Sequence, residues 1–181
     1  MIPLVLLLIL AGVGYALYEG GYLGGGAAAG GCAPSGGGCI VGTFPANWLS
    51  YGSAYVPALN GIEESYGLPT NLLCAVAYAE SGFNPNAQNC SSGALGMFQL
   101  LPAYYPNAGQ SWQADAASAA QALAAYANQF GSWQDALAAY NWGPGNLSGS
   151  GETYCALPVE TQAYVTNITA AVPGLTGNLV A

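Results

Sequence analysis

Eight carboxylates, five cysteines and a set of hydroxyls are the groups with which this 181-residue chain could do chemistry; Lys, Arg and His are absent and the formal net charge is −8. Without His or Lys there is no Ser-His or Cys-His nucleophile pair, no Schiff base and no imidazole metal ligand. Without cations there is no electrostatic grip on phosphate, which argues against nucleic-acid partners. None of Cys32, Cys39, Cys74, Cys90 and Cys155 forms a CxxC pair, so no zinc site is expected, nor any other metal or cofactor. Acid–base work therefore falls to a carboxylate. Glu80 is the strongest candidate. On a helix, Ala77, Val76 and Leu73 precede it by three, four and seven residues and share its face, which puts it on the buried stripe. Desolvation and the negative end of the helix dipole both raise its pKa, and no cationic side chain opposes them. A carboxyl that keeps its proton near neutrality suits a general acid. Taken alone, a helix-end Glu turned to solvent fits the sequence about as well.

Such a carboxyl needs a frame, and the pattern of the chain is helical. Helices are expected over Ala54–Tyr66, ended by Gly67, and over Thr70–Ser81, with Gly82 suited to the C′ position. Asp115–Phe130 is Ala-rich and helix-favouring. Ser132–Tyr140 starts with Ser132 as N-cap and Asp135 three residues on, and Pro158–Val172 starts with Pro in the first turn. The segments between are rich in Gly, Pro, Asn and Ser, and no alternating pattern supports a substantial sheet. The fold class expected is mostly α. With almost no ion pairs open to it, the fold must rest on burial and backbone hydrogen bonds. The missing cations read equally as compositional bias or as selection for an unusual milieu such as acid. Cys74 reads as a buried free thiol, Cys32 and Cys39 as a small disulfide loop, and Cys90 and Cys155 as a second pair.

Residues 1–19 form a transmembrane anchor on this reading, because Ile2–Tyr18 is an uncharged apolar run near the lower limit for spanning a bilayer. Tyr15, Tyr18 and Tyr22 would sit at the interface. A cleaved signal peptide is the rival, weakened by the lack of a positive n-region. Residues 20–43 read as a Gly/Ala-rich flexible linker and 44–181 as a single catalytic domain.

The words around Glu80 narrow the chemistry. Glu80-Ser81-Gly82-Phe83-Asn84-Pro85 resembles the ES-x-FNP motif of soluble lytic transglycosylases, glycoside hydrolase family 23. Gly93-Ala94-Leu95-Gly96-Met97-Phe98-Gln99-Leu100-Leu101-Pro102 is similar to that family's GA-x-GLMQL-x-P segment. Ala138-Ala139-Tyr140-Asn141-Trp142-Gly143-Pro144-Gly145 resembles AAYNAGPG, and Leu157-Pro158-Val159-Glu160-Thr161-Gln162-Ala163-Tyr164-Val165 resembles LP-x-ET-x-x-YV. The four occur in the family's order over Ile62 to Ile168. The resemblance implies a lysozyme-like catalytic domain acting on peptidoglycan glycan strands, with Glu80 protonating the bond between N-acetylmuramic acid and N-acetylglucosamine. It further implies that Gln99 lines the sugar cleft, with Met97 in its apolar wall. Tyr140 would bring its hydroxyl near the catalytic carboxyl, Asn141 would brace the loop, and Glu160 would bind substrate.

The chain departs from the pattern at Met97-Phe98, where Leu-Met is common, and at Gln162, where Arg is common. No second acid is close to Glu80 in sequence, and Glu63, Glu64, Asp115, Asp135, Glu152 and Glu160 are the remaining candidates. A one-carboxylate mechanism then follows from the resemblance, assisted by the substrate's N-acetyl oxygen and ending in a 1,6-anhydromuramoyl product, an exception to the two-carboxylate rule. A goose-type lysozyme-like hydrolase and a non-catalytic wall-binding or virion protein remain as alternatives. The partners expected are peptidoglycan, a lipid bilayer through residues 2–18 and, in a phage setting, virion proteins. The location expected is single-pass in a virion inner membrane or a bacterial cell envelope, with a role in local wall opening during phage entry.

Overall fold

Leu72–Ser81, LLCAVAYAES, offers small or apolar side chains on nearly every face and becomes the central helix of the molecule, with all ten of its residues buried. A helix apolar all round belongs in an interior rather than on a surface. The expectation of a single buried stripe was therefore too narrow. The computed structural model describes residues 43–151 and 154–175. In order, the helices are α1 (Trp48–Tyr51), α2 (Val56–Tyr66), α3 (Leu72–Ser81), α4 (Trp112–Phe130), α5 (Trp133–Trp142), α6 (Pro144–Gly149) and α7 (Val159–Ala171), with a 3-10 turn at Tyr154–Ala156. Around α3 pack α2, α4 and α7, while α5 joins α4 to α7 and carries α6. Among the described residues the only extended pairing is isolated bridges, Gln88 with Leu95 and Leu95 with Leu100. The fold is mostly α, as the sequence predicts.

The ends of the helices explain the differences from the expected boundaries. α3 begins at Leu72 rather than Thr70 because Asn71 adopts a left-handed backbone (φ 68°) at its N-cap. At its other end Gly82 (φ 63°) donates to Tyr78 O at 2.9 Å, and Phe83 N–H donates to Ala77 O at 3.2 Å, which closes the last turn. α4 starts three residues before Asp115, because Ser111 caps it by accepting from Ala114 N–H. Ser132 caps α5 as expected: its Oγ accepts from Asp135 N–H at 3.0 Å and donates to the Asp135 carboxylate. α1, α6 and the 3-10 turn were not anticipated, being too short for a periodic pattern.

Aromatic rings fill the side of α3 that faces α1. Phe44, Trp48 and Phe83 surround Tyr78, with Trp48 and Phe83 stacked at 6.5 Å and Phe44 meeting Tyr78 edge-on at 4.7 Å. This cluster and the aliphatic core supply the burial that a chain without ion pairs requires.

The cysteines correct one expectation. Cys74 is free and buried, as predicted. Cys155 is an exposed free thiol on the 3-10 turn, whereas Cys90 is disulfide-bonded, so the two do not pair. Pairing depends on which surfaces the fold brings together, and spacing does not encode that. Cys32 and Cys39 lie outside the described residues, as do the expected anchor and nearly all of the expected linker. No helix among the described residues is long and apolar enough to cross a membrane.

Candidate active site

Glu80 occupies the last turn of α3 and is only 3% exposed. Burial pushes its carboxyl up to about 8; a hydrogen bond from the Tyr164 hydroxyl pulls the other way, and the charge of Glu160 raises it again. Desolvation is the dominant cause, as expected for a carboxyl with no cation to pair with. The group is therefore an acid that still carries its proton at neutral pH.

The chain following α3 folds back to form one side of the site. Leu95 and Leu100 exchange both backbone hydrogen bonds at 2.9 Å, which pinches Gly96–Gln99 into a tight turn. Gln99 is held there in a left-handed conformation (φ 48°), unusual for a residue with a side chain, and its Nε2 donates to Gly96 O at 2.9 Å. Its Oε1 is buried without a donor among the described residues. Ser81, next to Glu80, ties the turn to α3 by donating to Met97 O at 2.8 Å and accepting from Asn84 N–H at 3.0 Å. Met97 itself is fully enclosed, so its side chain packs behind the turn in the core rather than forming an accessible wall. Tyr140, near the end of α5, donates to Phe98 O at 2.9 Å. Burial raises its phenol well above the ordinary value, and the Glu80 charge adds to this. Tyr140 is thus near the acid, but its hydroxyl is spent on the turn.

α7 closes the opposite side. Glu160 and Tyr164 are one helical turn apart and so face the same way. Tyr164, 2% exposed, is the residue whose hydroxyl draws the Glu80 pKa down, and Glu160 presents a buried Oε1 that has no donor among the described residues. Between them Thr161 donates to Asn141 Oδ1 at 2.8 Å, so Asn141 braces α5 against α7. Tyr164, Ser81 and Thr161 were not singled out from the sequence. The spacing of Tyr164 from Glu160 inside one motif was the available signal.

The remaining acids have other work. Glu63 lies under the N-terminus of α3, where its carboxylate accepts from Asn71 N–H and Leu73 N–H at 2.7 Å and Cys74 N–H at 3.2 Å. Asp135 belongs to the α5 cap, Glu64 is exposed, and Glu152 lies outside the described residues. Asp115 is buried beside Gly96 and Gly109. Among the described residues no group of three or more acidic or cysteine side chains could hold a metal.

A buried acid at a helix end, a strained glutamine in a pinned turn and a hydroxyl-bearing helix make up the site. Residues 57–156, more than half of the 181, match the transglycosylase SLT domain. The chain belongs to this family. Its members are lytic transglycosylases acting on peptidoglycan, so the SLT domain here is that of an enzyme with a peptidoglycan substrate. The match stops before α7; it is the folding of the chain that returns Glu160 and Tyr164 to the Glu80 carboxyl.

Proposed function

We propose that this SLT-domain protein cleaves the β-1,4 bond between N-acetylmuramic acid and N-acetylglucosamine and leaves a 1,6-anhydromuramoyl end. The observation that carries the reading is Glu80: enclosed, without a cationic partner, and protonated up to a pH of about 8. That proton goes to the glycosidic oxygen as the bond breaks, while the substrate's N-acetyl oxygen bonds to the anomeric carbon. The Glu80 carboxylate then takes the proton of the C6 hydroxyl. The freed O6 attacks the anomeric carbon, releases the N-acetyl oxygen and forms the anhydro ring. The unpartnered acceptors Gln99 Oε1 and Glu160 Oε1 suit the N–H and O–H donors of amino sugars, because a buried acceptor left unpaired favours a ligand that supplies the missing bond.

Residues 2–18 anchor the enzyme in a membrane on this reading. The disulfide at Cys90 supports an oxidising, wall-facing compartment. A virion membrane used for local wall opening during phage entry fits, as does a cellular envelope, and detection of the chain in purified virions separates them. The chemical test is mass spectrometry of digested wall. Anhydro ends lack the mass of one water and support transfer; fully hydrated reducing ends indicate a goose-type hydrolase; no release by the wild type indicates a wall-binding protein.

A further inference from the structure

Asp115 is a buried carboxyl to which the mechanism gives no part. It stands in the first turn of α4, 2% exposed, where no cationic side chain can meet it. Both of its oxygens lie 3.1 Å from the N–H of Gly109, so a single donor is shared across the carboxylate. Its other neighbour is Gly96, where an added Cβ would collide with Asp115 Oδ2. Gly96 and Gly109 both have left-handed backbones (φ 76°), and a Cβ at Gly109 would touch Leu95 at 3.0 Å. The carboxyl therefore sits wedged between two glycines, one opening the turn that carries Gln99 and the other ending the loop that leads into α4.

What it supports is specific. Gly96 O accepts from both the backbone N–H and the side-chain amide of Gln99, at 3.2 and 2.9 Å. Phe98 O, two residues on, receives the Tyr140 hydroxyl. A shift of Gly96 would carry the Gln99 amide with it.

We propose that Asp115 is a positioning residue for sugar binding, its carboxyl fixing the Gly96–Gln99 turn so that Gln99 Oε1 stays aimed at the ligand. The inference rests on the lytic transglycosylase reading and extends it to a residue that touches no substrate. A site held loosely by an ångström loses binding on the order of tenfold or more even when every contact residue is present. The closing experiment measures KM and kcat on solubilised glycan strands for the wild type, Asp115→Ala, Asp115→Glu and Asp115→Asn, with melting curves for each. Asp115→Ala should raise KM on the order of tenfold with a smaller change in kcat. Asp115→Glu, one methylene too long for the Gly96 gap, should raise KM similarly, so the test survives if the alanine variant fails to fold. Asp115→Asn keeps the shape and an acceptor for Gly109 N–H and should restore KM to within about twofold of the wild type, a rescue that a charge effect would not give. An active wild type whose alanine and glutamate variants both keep its KM overturns this inference alone. A wild type that releases no glycan fragments overturns the functional reading, and this inference with it.

Discussion

The helix α3 has a buried glutamate at each end, and the two have opposite fates. Glu63 and Glu80 are 1% and 3% exposed, both are pushed up by desolvation, and neither has a cation to meet. Glu63 comes from α2 and meets the N-terminal end of α3, where three free backbone N–H groups converge on its oxygens. Glu80 belongs to the C-terminal end, where the backbone offers carbonyls and the one described donor is the Tyr164 hydroxyl. Burial alone thus does not make an acid catalyst. The supply of donors decides: where it is full the carboxyl becomes a structural clamp, and where it is sparse burial goes largely unopposed.

Removing each carboxyl in turn separates the two roles. Glu80→Gln should cut wall-degrading activity by about a thousandfold, the middle of the range for losing a general acid, with the fold intact. Residual activity near that of the wild type would show that the proton comes from elsewhere. The same variant should be more stable than the wild type at alkaline pH. A carboxyl whose folded pKa is raised stabilises the fold fully below its unfolded value, near 4.5, and loses that contribution as pH rises through about 8. Over that window the wild type should lose a few kcal/mol that the Glu80→Gln variant keeps, read from melting curves at pH 5 and pH 8.5.

Glu63→Ala should act in the opposite direction, costing roughly 3 kcal/mol because three buried or half-buried N–H groups lose their acceptor. Chemical denaturation measures it, and an unchanged midpoint would remove the clamp from the account.

A finer test uses the two groups that α7 turns toward Glu80. Tyr164→Phe deletes a donor to the carboxylate and should move the alkaline limb of kcat upward by roughly one pH unit, while Glu160→Gln removes a like charge and should move it downward. Shifts of the same sign in both variants would contradict the assignment. The smallest effect is expected at the α5 cap. Ser132→Ala should cost about 1 kcal/mol of stability and leave the pH profile in place, since the Ser132 hydroxyl caps the start of α5.

Much of this frame was legible because its signals are local. Gly82 and Ser132 mark helix ends through backbone conformations and caps that involve only neighbouring residues, and the structure uses both as read. The motif around Glu80 identified the carboxyl, and the stripe argument anticipated its burial. The pairing of Cys90 was misread, and Tyr164 and Asp115 were passed over, for one reason. Each owes its role to a partner that local pattern does not reveal: Glu80 for Tyr164, Gly96 and Gly109 for Asp115, and for Cys90 a cysteine other than Cys74 or Cys155.

By itself, then, the sequence determined which chemistry is open to this protein: no side-chain cation, hence acid–base work by a carboxylate, and a helical frame written in periodicity and caps. Only the tertiary structure decided which buried glutamate is left short of donors and which becomes a clamp. Desolvation and hydrogen-bond supply depend on what surrounds a group in space, and for Glu63 and Glu80 those surroundings come from opposite ends of one helix.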